Sequence, residues 1–329
     1  CLKMQLNLIV HSIILNKQSL IWHGQNVHSQ NGSMLYKFHD YKFKKIANKY
    51  YDIIRGAMNN LGHEELTIDL PSSYVTPDIN FYNHTTTNTK NTFIVKPTAP
   101  TSNHFAIDTM GYANSSALSY TRPDINDDIE QMDWESILEL KNTKPNKWDD
   151  SVLLKWRDAK DIKDDHILII GQMPDDETVN GFGFGDHIKR MDMIINKLKN
   201  ENLVIKLHPR YKNKTLVKKW KDAGHHVITG FDCIHSILPK TRVAIVDNST
   251  AGIECLMHEV PIISHGWPEY HWATQKLQTL PQLENLVNDL SWYRPVYAKQ
   301  FIEWYINHYL CHDEATTQRR LKEILNANI

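Results

Sequence analysis

The sequence predicts an α/β protein of two domains, and three observations carry that expectation. At 329 residues the chain is long enough for about two domains, at roughly 150 residues each. From about residue 165 onward, short aliphatic runs alternate with stretches of helical periodicity, the pattern of a parallel sheet covered on both faces. Hydrophobic residues make up 41% of the chain and aromatics 10%, enough for sizeable cores and too much for wholesale disorder.

Taken in order, the first half is the less regular. Residues 6–10 and 19–22 read as short strands. Residues 41–58 read as a helix, with Phe43, Ile46, Ala47, Tyr50, Ile53, Ile54 and Met58 at helical spacing. Residues 71–90 are rich in Thr, Asn and Pro and read as loop. Residues 92–95 form the next strand, which puts Lys96 at a strand's C-terminal end. A ligand could meet it there, although taken alone it is a solvated lysine before a turn. A helix is expected over 125–140 and a linker over 142–147. The domain boundary then falls near residue 150, giving an N-terminal domain over 1–150 and a C-terminal one over 151–329.

The second half alternates regularly. Strands are expected at 166–170, 203–207, 226–228, 243–246 and 260–263. Helices are expected at 187–200, with Ile188, Met191, Ile194, Ile195 and Leu198 on one face, and at 215–222 and 250–257. A short helix over 232–238 would be capped by Asp232 and stopped by Pro239. The tail, 281–327, reads as mostly helical, with Phe301, Ile302, Trp304, Tyr305, Tyr309 and Leu310 supplying an apolar face.

Charge and composition exclude several functions. Lys plus Arg is 37 and Asp plus Glu is 38, so there is no global basic excess to hold nucleic acid. No apolar run reaches the ~18 residues of a membrane helix. The best stretch, 6–15, is broken by His11 and Ser12. A transmembrane segment is therefore not expected, while peripheral membrane association stays open. Cys1, Cys233, Cys255 and Cys311 form no CxxC pair, which points to a reducing, cytoplasmic setting and to no zinc ribbon. There is no HExxH, and adjacent His225 and His226 point in different directions.

In open α/β sheets ligands bind beyond the carboxyl ends of the strands, and four such exits are legible. The first, 171–178, brings Gly171, Gln172, Asp175, Asp176 and Glu177. A carboxylate there could act as general base or nucleophile and the amide could contact a sugar hydroxyl. Alone, the segment is an acidic turn. The run Gly181-Phe182-Gly183-Phe184-Gly185 that follows departs from GxGxxG and reads as a loop, with Asp186 as a helix cap. The second exit, Lys206-Leu207-His208-Pro209-Arg210, offers His208 and Arg210, with Lys206, to a phosphate or carboxylate. The third, Asp247-Asn248-Ser249-Thr250-Ala251-Gly252-Ile253-Glu254, opens a helix whose free N–H groups favour an anion. Ser249 or Thr250 would cap it, Gly252 would let a ligand approach closely, and Glu254 could accept from ribose hydroxyls. At the fourth exit, 264–267, Trp267 either stacks on a base or packs at a domain edge.

The order of these motifs is more informative than any one of them. The runs 169–176, 205–209, 246–256, 260–263 and 301–305 together resemble the capsular-polysaccharide glycosyltransferase family. That family includes the bacterial transferases of 3-deoxy-manno-octulosonic acid (Kdo). The resemblance covers about residues 166–310. It implies a GT-B-like architecture, two Rossmann-like domains with a cleft between them. The C-terminal domain would hold a nucleotide-sugar donor, CMP-Kdo or a UDP-sugar, and the N-terminal domain a glycan acceptor. His208, Ser249 and Thr250 would meet donor phosphate and Glu254 the ribose, with Gln172, Arg210, Asn248 and Gly252 completing the donor site. Asp176, with Asp175 as the other candidate, would take the acceptor proton. No cofactor or metal is implied, because His208, Arg210 and a helix start can take the leaving-group charge, and no Asp-x-Asp stands at a strand end. A non-catalytic nucleotide- or glycan-binding protein and a GT-B-type nucleotide-sugar epimerase are the competing expectations.

Overall fold

A computed structural model describes residues 20–23, 26–29, 34–39, 44–65, 78–83, 91–125, 133–145, 147, 157–180 and 186–327. Strands β1 (Leu20–His23) and β2 (Asn26–Ser29) pair antiparallel. The first large sheet follows, built from β3 (Leu35–His39), helix α1 (Lys44–Asn60), β4 (Glu64–Glu65), β5 (Ile79–Asn83), β6 (Thr92–Pro97) and β7 (Phe105–Asp108). Its order is β4-β3-β5-β6-β7, parallel except for β7 at the edge. Helix α1 buries Tyr50, Tyr51, Ile54, Ala57 and Met58, spaced to form one stripe, against Tyr36 and Phe81 of the sheet.

Two expectations for this half need correction. Ile79–Asn83 lies inside the stretch expected as loop, yet it is the central strand of the sheet. Its own alternation is clean, with Ile79, Phe81 and Asn83 buried, and only the polar composition of its neighbours hides it. The helix expected over 125–140 is α2 (Trp134–Asn142), which starts where the Asp133 side chain accepts from Ser136 N–H, and Ile125 is not helical. The strand expected at 6–10 lies outside the described residues.

The second half opens with β8 (Arg157–Asp158) and β9 (His166–Ile170), then the short α3 (Glu177–Asn180), α4 (His187–Lys197), β10 (Leu203–Lys206), α5 (Lys214–Asp222), β11 (His226–Ile228) and β12 (Asp232–Cys233). It continues through β13 (Thr241–Val246), α6 (Ala251–Met257), β14 (Ile262–Ser264) and β15 (Gln275–Lys276). Three tail helices close the chain, α7 (Leu283–Asn288), α8 (Pro295–Trp304) and α9 (Glu314–Ala327). The sheet is entirely parallel, in the order β11-β10-β9-β13-β14-β15. Successive residues serve opposite faces. Ile167, Ile169, Ile205 and Ile245 pack with Met191 and Trp220 on one side, and Leu168, Ile170, Val204 and Val246 pack with Ile253 and Phe301 on the other. Asp186 caps α4 by accepting from the N–H groups of Ile188 and Lys189.

The helix expected over 232–238 is instead the strand β12 followed by two 3₁₀ turns, with Pro239 inside the second. Proline is tolerated in a first turn, and the Asp232 carboxylate pairs with Arg157 at 2.6 Å rather than capping. The tail also returns to the first half: Leu321, Ile324 and Leu325 of α9 share a core with Tyr50, Ile54 and Met58 of α1. The halves meet along a second seam, where Trp267 and Trp272 donate their indole N–H groups to the carbonyls of Ser119 (3.1 Å) and Leu118 (2.7 Å). Trp267 is thus packed at the domain edge, with the Lys276 ammonium 3.6 Å from its ring centre. No helix among the described residues is long and apolar enough to cross a membrane.

Candidate active site in the interdomain cleft

Counted along the chain, the strands of the second sheet lie third, second, first, fourth, fifth, sixth, so the order reverses between β9 and β13. The crevice beyond the strand ends at such a reversal is the expected ligand site. The loops after β9, β10 and β13 converge there. They border an open pocket of about 540 Å³, solvent at its mouth included, lined by Gly171, Lys206, His208, Ser249, Thr250 and Glu254, together with Lys147. Lys147, His208 and Thr250 also border a larger cleft of about 1190 Å³. One wall of that cleft carries Gln172, Asp176, Arg210 and Asn248. The other carries Tyr50, Asn83, Lys96, Tyr112 and Ala113 from the first half.

The cavity sets two lysines and a histidine against one carboxyl. Burial holds the Lys206 and Lys147 ammonium groups below their ordinary pKa, with Glu254 working to keep both charged. His208 is pushed down to about 4 by burial and then by Lys147, Arg210 and Lys206, so it is neutral at pH 7. Its Nδ1 accepts the Arg210 backbone N–H at 3.2 Å, which fixes the tautomer and leaves Nε2 as a donor. Glu254 is pushed up to about 7 by burial, against the pull of Lys147 and Lys206. Its Oε2 is buried without a hydrogen-bond partner among the described residues. A buried oxygen of this kind can take up a hydrogen-bonding group of a ligand.

Asp176 and Asp175 separate clearly. Asp176 lines the cleft, and its Oδ1 accepts from Thr178 N–H (2.9 Å) and Thr178 Oγ1 (2.6 Å). Asp175 is exposed and lines neither cavity. The Asp176 loop is braced from three sides. Asn248 donates to the Thr178 carbonyl (3.0 Å) and hydroxyl (2.8 Å), Asn114 donates to the same carbonyl (2.9 Å), and the Gln172 amide reaches Asn248 Oδ1 at 3.4 Å. Behind it lies a buried group that no motif in the sequence marks. His187 Nε2 accepts the Gln172 backbone N–H at 3.1 Å, so His187 Nδ1 is the donor to Asp247 at 2.9 Å. Arg190 donates to the same carboxylate at 2.5 Å. Burial alone would raise the Asp247 pKa, but the His187 hydrogen bond, the adjacent His265 ring and the Arg190 guanidinium hold it below the ordinary value.

At the third exit the roles are redistributed. Thr250 makes no side-chain capping bond, and its hydroxyl instead accepts from Lys147, while Ser249 Oγ accepts the Ala251 N–H at 3.3 Å. Gly252, expected to let a ligand approach, stands against Tyr270. A Cβ there would overlap the Tyr270 hydroxyl and ring, and the residue lines neither cavity, so the glycine makes room for a packed tyrosine. Lys147 falls at the end of the expected linker. No local signal marks it, because it reaches the cavity through the tertiary course of the chain. The glycine run at 181–185 lies outside the described residues. Among the described residues no group of three or more His, Cys, Asp or Glu could hold a metal ion.

The segment that contributes to both cleft walls also decides the family. A family model described as capsule polysaccharide biosynthesis protein matches residues 109–279, just over half of the chain. The chain belongs to the capsule polysaccharide biosynthesis protein family. The fold of this family member is similar to KpsC β-Kdo 2,4 transferase of Thermosulfurimonas dismutans, with a TM-score of 0.54 and 13% identity over 93% of this chain and 98% of that one. The β-Kdo 2,7 transferase structure of the same KpsC aligns with a TM-score of 0.45 and 13% identity, over 89% and 100% of the two chains. A search of curated protein sequences gives no match. The architecture is that of the GT-B fold, two Rossmann-like halves across a cleft.

Proposed function

We propose that this chain is a glycosyltransferase of polysaccharide synthesis that moves a sugar from a nucleotide donor to a glycan hydroxyl. One observation carries the proposal: a cavity lined by Lys147, Lys206 and a neutral histidine donor adjoins a cleft lined by Asp176. The leaving nucleotide gains negative charge as the glycosidic bond breaks. Lys147, Lys206 and Arg210, with the Nε2–H of His208, would meet that charge as it develops. These cations do what a divalent metal does in other transferases. Glu254 would accept from the ribose hydroxyls, and Ser249 and Thr250 would border the phosphates. Asp176 would take the acceptor proton, or add to the anomeric carbon if configuration is retained. Gln172 and Asn248 would act by holding the Asp176 loop. Buried free Cys233, Cys255 and Cys311 suit a reducing, cytoplasmic setting.

The fold likeness to a Kdo transferase puts CMP-Kdo first among donors, with UDP-sugars next. Purified protein offered CMP-Kdo, UDP-xylose, UDP-glucose and GDP sugars should release nucleotide from one of them, faster when a glycan acceptor is present. Release from none, with or without acceptors, would sink the proposal.

A further inference from the structure

The first-half wall of the cleft carries a binding feature that the donor chemistry leaves unused. Asn83 ends β5, is 1% exposed and lines the cleft, yet its carboxamide oxygen has no hydrogen-bond partner among the described residues. A buried acceptor without a donor is costly and persists where a ligand completes it. On the next strand, β6, Lys96 lies one residue beyond Val95, the register partner of Asn83. Its ammonium is 4.0 Å from the Tyr112 ring centre, and it borders the same cleft.

The loop beside them is shaped for that position. Ala113 lines the cleft with φ at +51°, a left-handed conformation uncommon for alanine. Its peptide is held from both sides. The carbonyl accepts from Ser116 Oγ at 2.9 Å and from the Ser119 hydroxyl, and the N–H donates to the buried Glu269 carboxyl. The next residue, Asn114, reaches across to the Thr178 carbonyl at 2.9 Å, which ties this wall to the loop that carries Asp176.

We propose that Asn83 and Lys96 form the subsite for the terminal sugar of the glycan acceptor, an assignment that rests on the glycosyltransferase reading. Asn83 Oδ1 needs an O–H or N–H donor, and the Lys96 ammonium can donate to an oxygen lone pair. Neighbouring hydroxyls on one sugar ring answer both. A phosphate answers only the second, so the subsite is built for saccharide and not for the donor's phosphates.

The test titrates the full chain, saturated with CMP or UMP, with methyl glucoside, methyl galactoside and methyl N-acetylglucosaminide, followed by saturation-transfer NMR. At least one glycoside should bind. Asn83→Ala should weaken it about tenfold, one hydrogen bond's worth, while nucleotide affinity holds. Lys96→Met should weaken it similarly, and it decides the matter if Asn83→Ala fails to fold. Asn83→Asp, which keeps the oxygen, should bind within about threefold of the parent. The subsite is overturned if no glycoside binds, or if Asn83→Ala and Lys96→Met both bind like the parent. Glycoside binding that depends on Asn83, in a chain that releases nucleotide from no donor, would keep the subsite and defeat the transferase proposal instead.

Discussion

Asp175 and Asp176 are chemically identical and adjacent in sequence, and their surroundings alone distinguish them. The Asp176 carboxylate is oriented by Thr178 and lies in the cleft, whereas Asp175 is exposed to solvent. The sequence names the pair with only a lean to Asp176, since the distinction depends on Asn248 and Asn114 bracing Thr178 from loops 70 and 64 residues away. Asp176→Asn should lower turnover by at least ~10²-fold, the range of a lost general base, with nucleotide affinity nearly unchanged. Asp175→Asn should stay within about twofold of the parent in both, as expected of an exposed surface substitution. Steady-state rates and nucleotide titrations on the two variants check this, and equal losses in both would remove Asp176 from its proposed role. His208 is legible as a candidate ligand from its His-Pro setting. Its neutrality is not, because burial depresses its pKa first, and Lys147, the next cause, comes from a distant part of the chain.

At the scale of elements, buried strands are readable and their partners are not. β9 is buried throughout, and apolar after His166, because both faces are covered, and the exits of β9, β10 and β13 follow from such runs. β5 is lost because the polar residues around it outweigh five residues of alternation. The brace of His187, Arg190 and Asp247 is invisible because a helix and a strand exit, 60 and 57 residues apart, meet only in the fold. α6 gives the element-scale prediction. Gly252 faces the Tyr270 ring so closely that a Cβ would collide with it, and the Tyr270 hydroxyl donates to the Ser249 carbonyl. Gly252→Ala should therefore destabilise the protein by about 1–3 kcal/mol through overpacking, seen as a lower urea midpoint. A role in ligand approach would instead lower nucleotide affinity and leave the midpoint in place.

For the whole molecule, burial of ionisable groups on both sides of neutrality sets how stability depends on pH. His104 and His258 are pushed down to about 3, and His208, His235 and His265 to about 4, in each case chiefly by burial. A base held neutral in the fold contributes no penalty above its unfolded pKa near 6.5, and stability falls as acid protonates the unfolded chain first. Glu254 and Glu269 work the other way. Both are pushed up to about 7 by burial, and for Glu269 the Asp108 carboxylate adds to the rise against Tyr305 and Lys96. An acid held protonated in the fold is fully stable below its unfolded pKa near 4.5, and that advantage is lost as pH rises toward 7. Five histidines outweigh two carboxyls between pH 4.5 and 6.5, so the melting temperature should climb over that interval and peak near neutrality. Above the peak the two ionised glutamates remain as a cost on the order of 3 kcal/mol each. Glu269 lies in the seam between the halves, taking the Tyr305 hydroxyl and the Ala113 N–H, and a glutamine can accept both without ionising. Glu254→Gln with Glu269→Gln should thus raise the melting temperature at pH 8 and change it little at pH 5. Thermal melts of parent and double variant across pH 5–8 measure this directly. A double variant no more stable than its parent at pH 8 would mean that the fold meets both charges with partners or water, and that the seam between the halves is wetter than its burial implies.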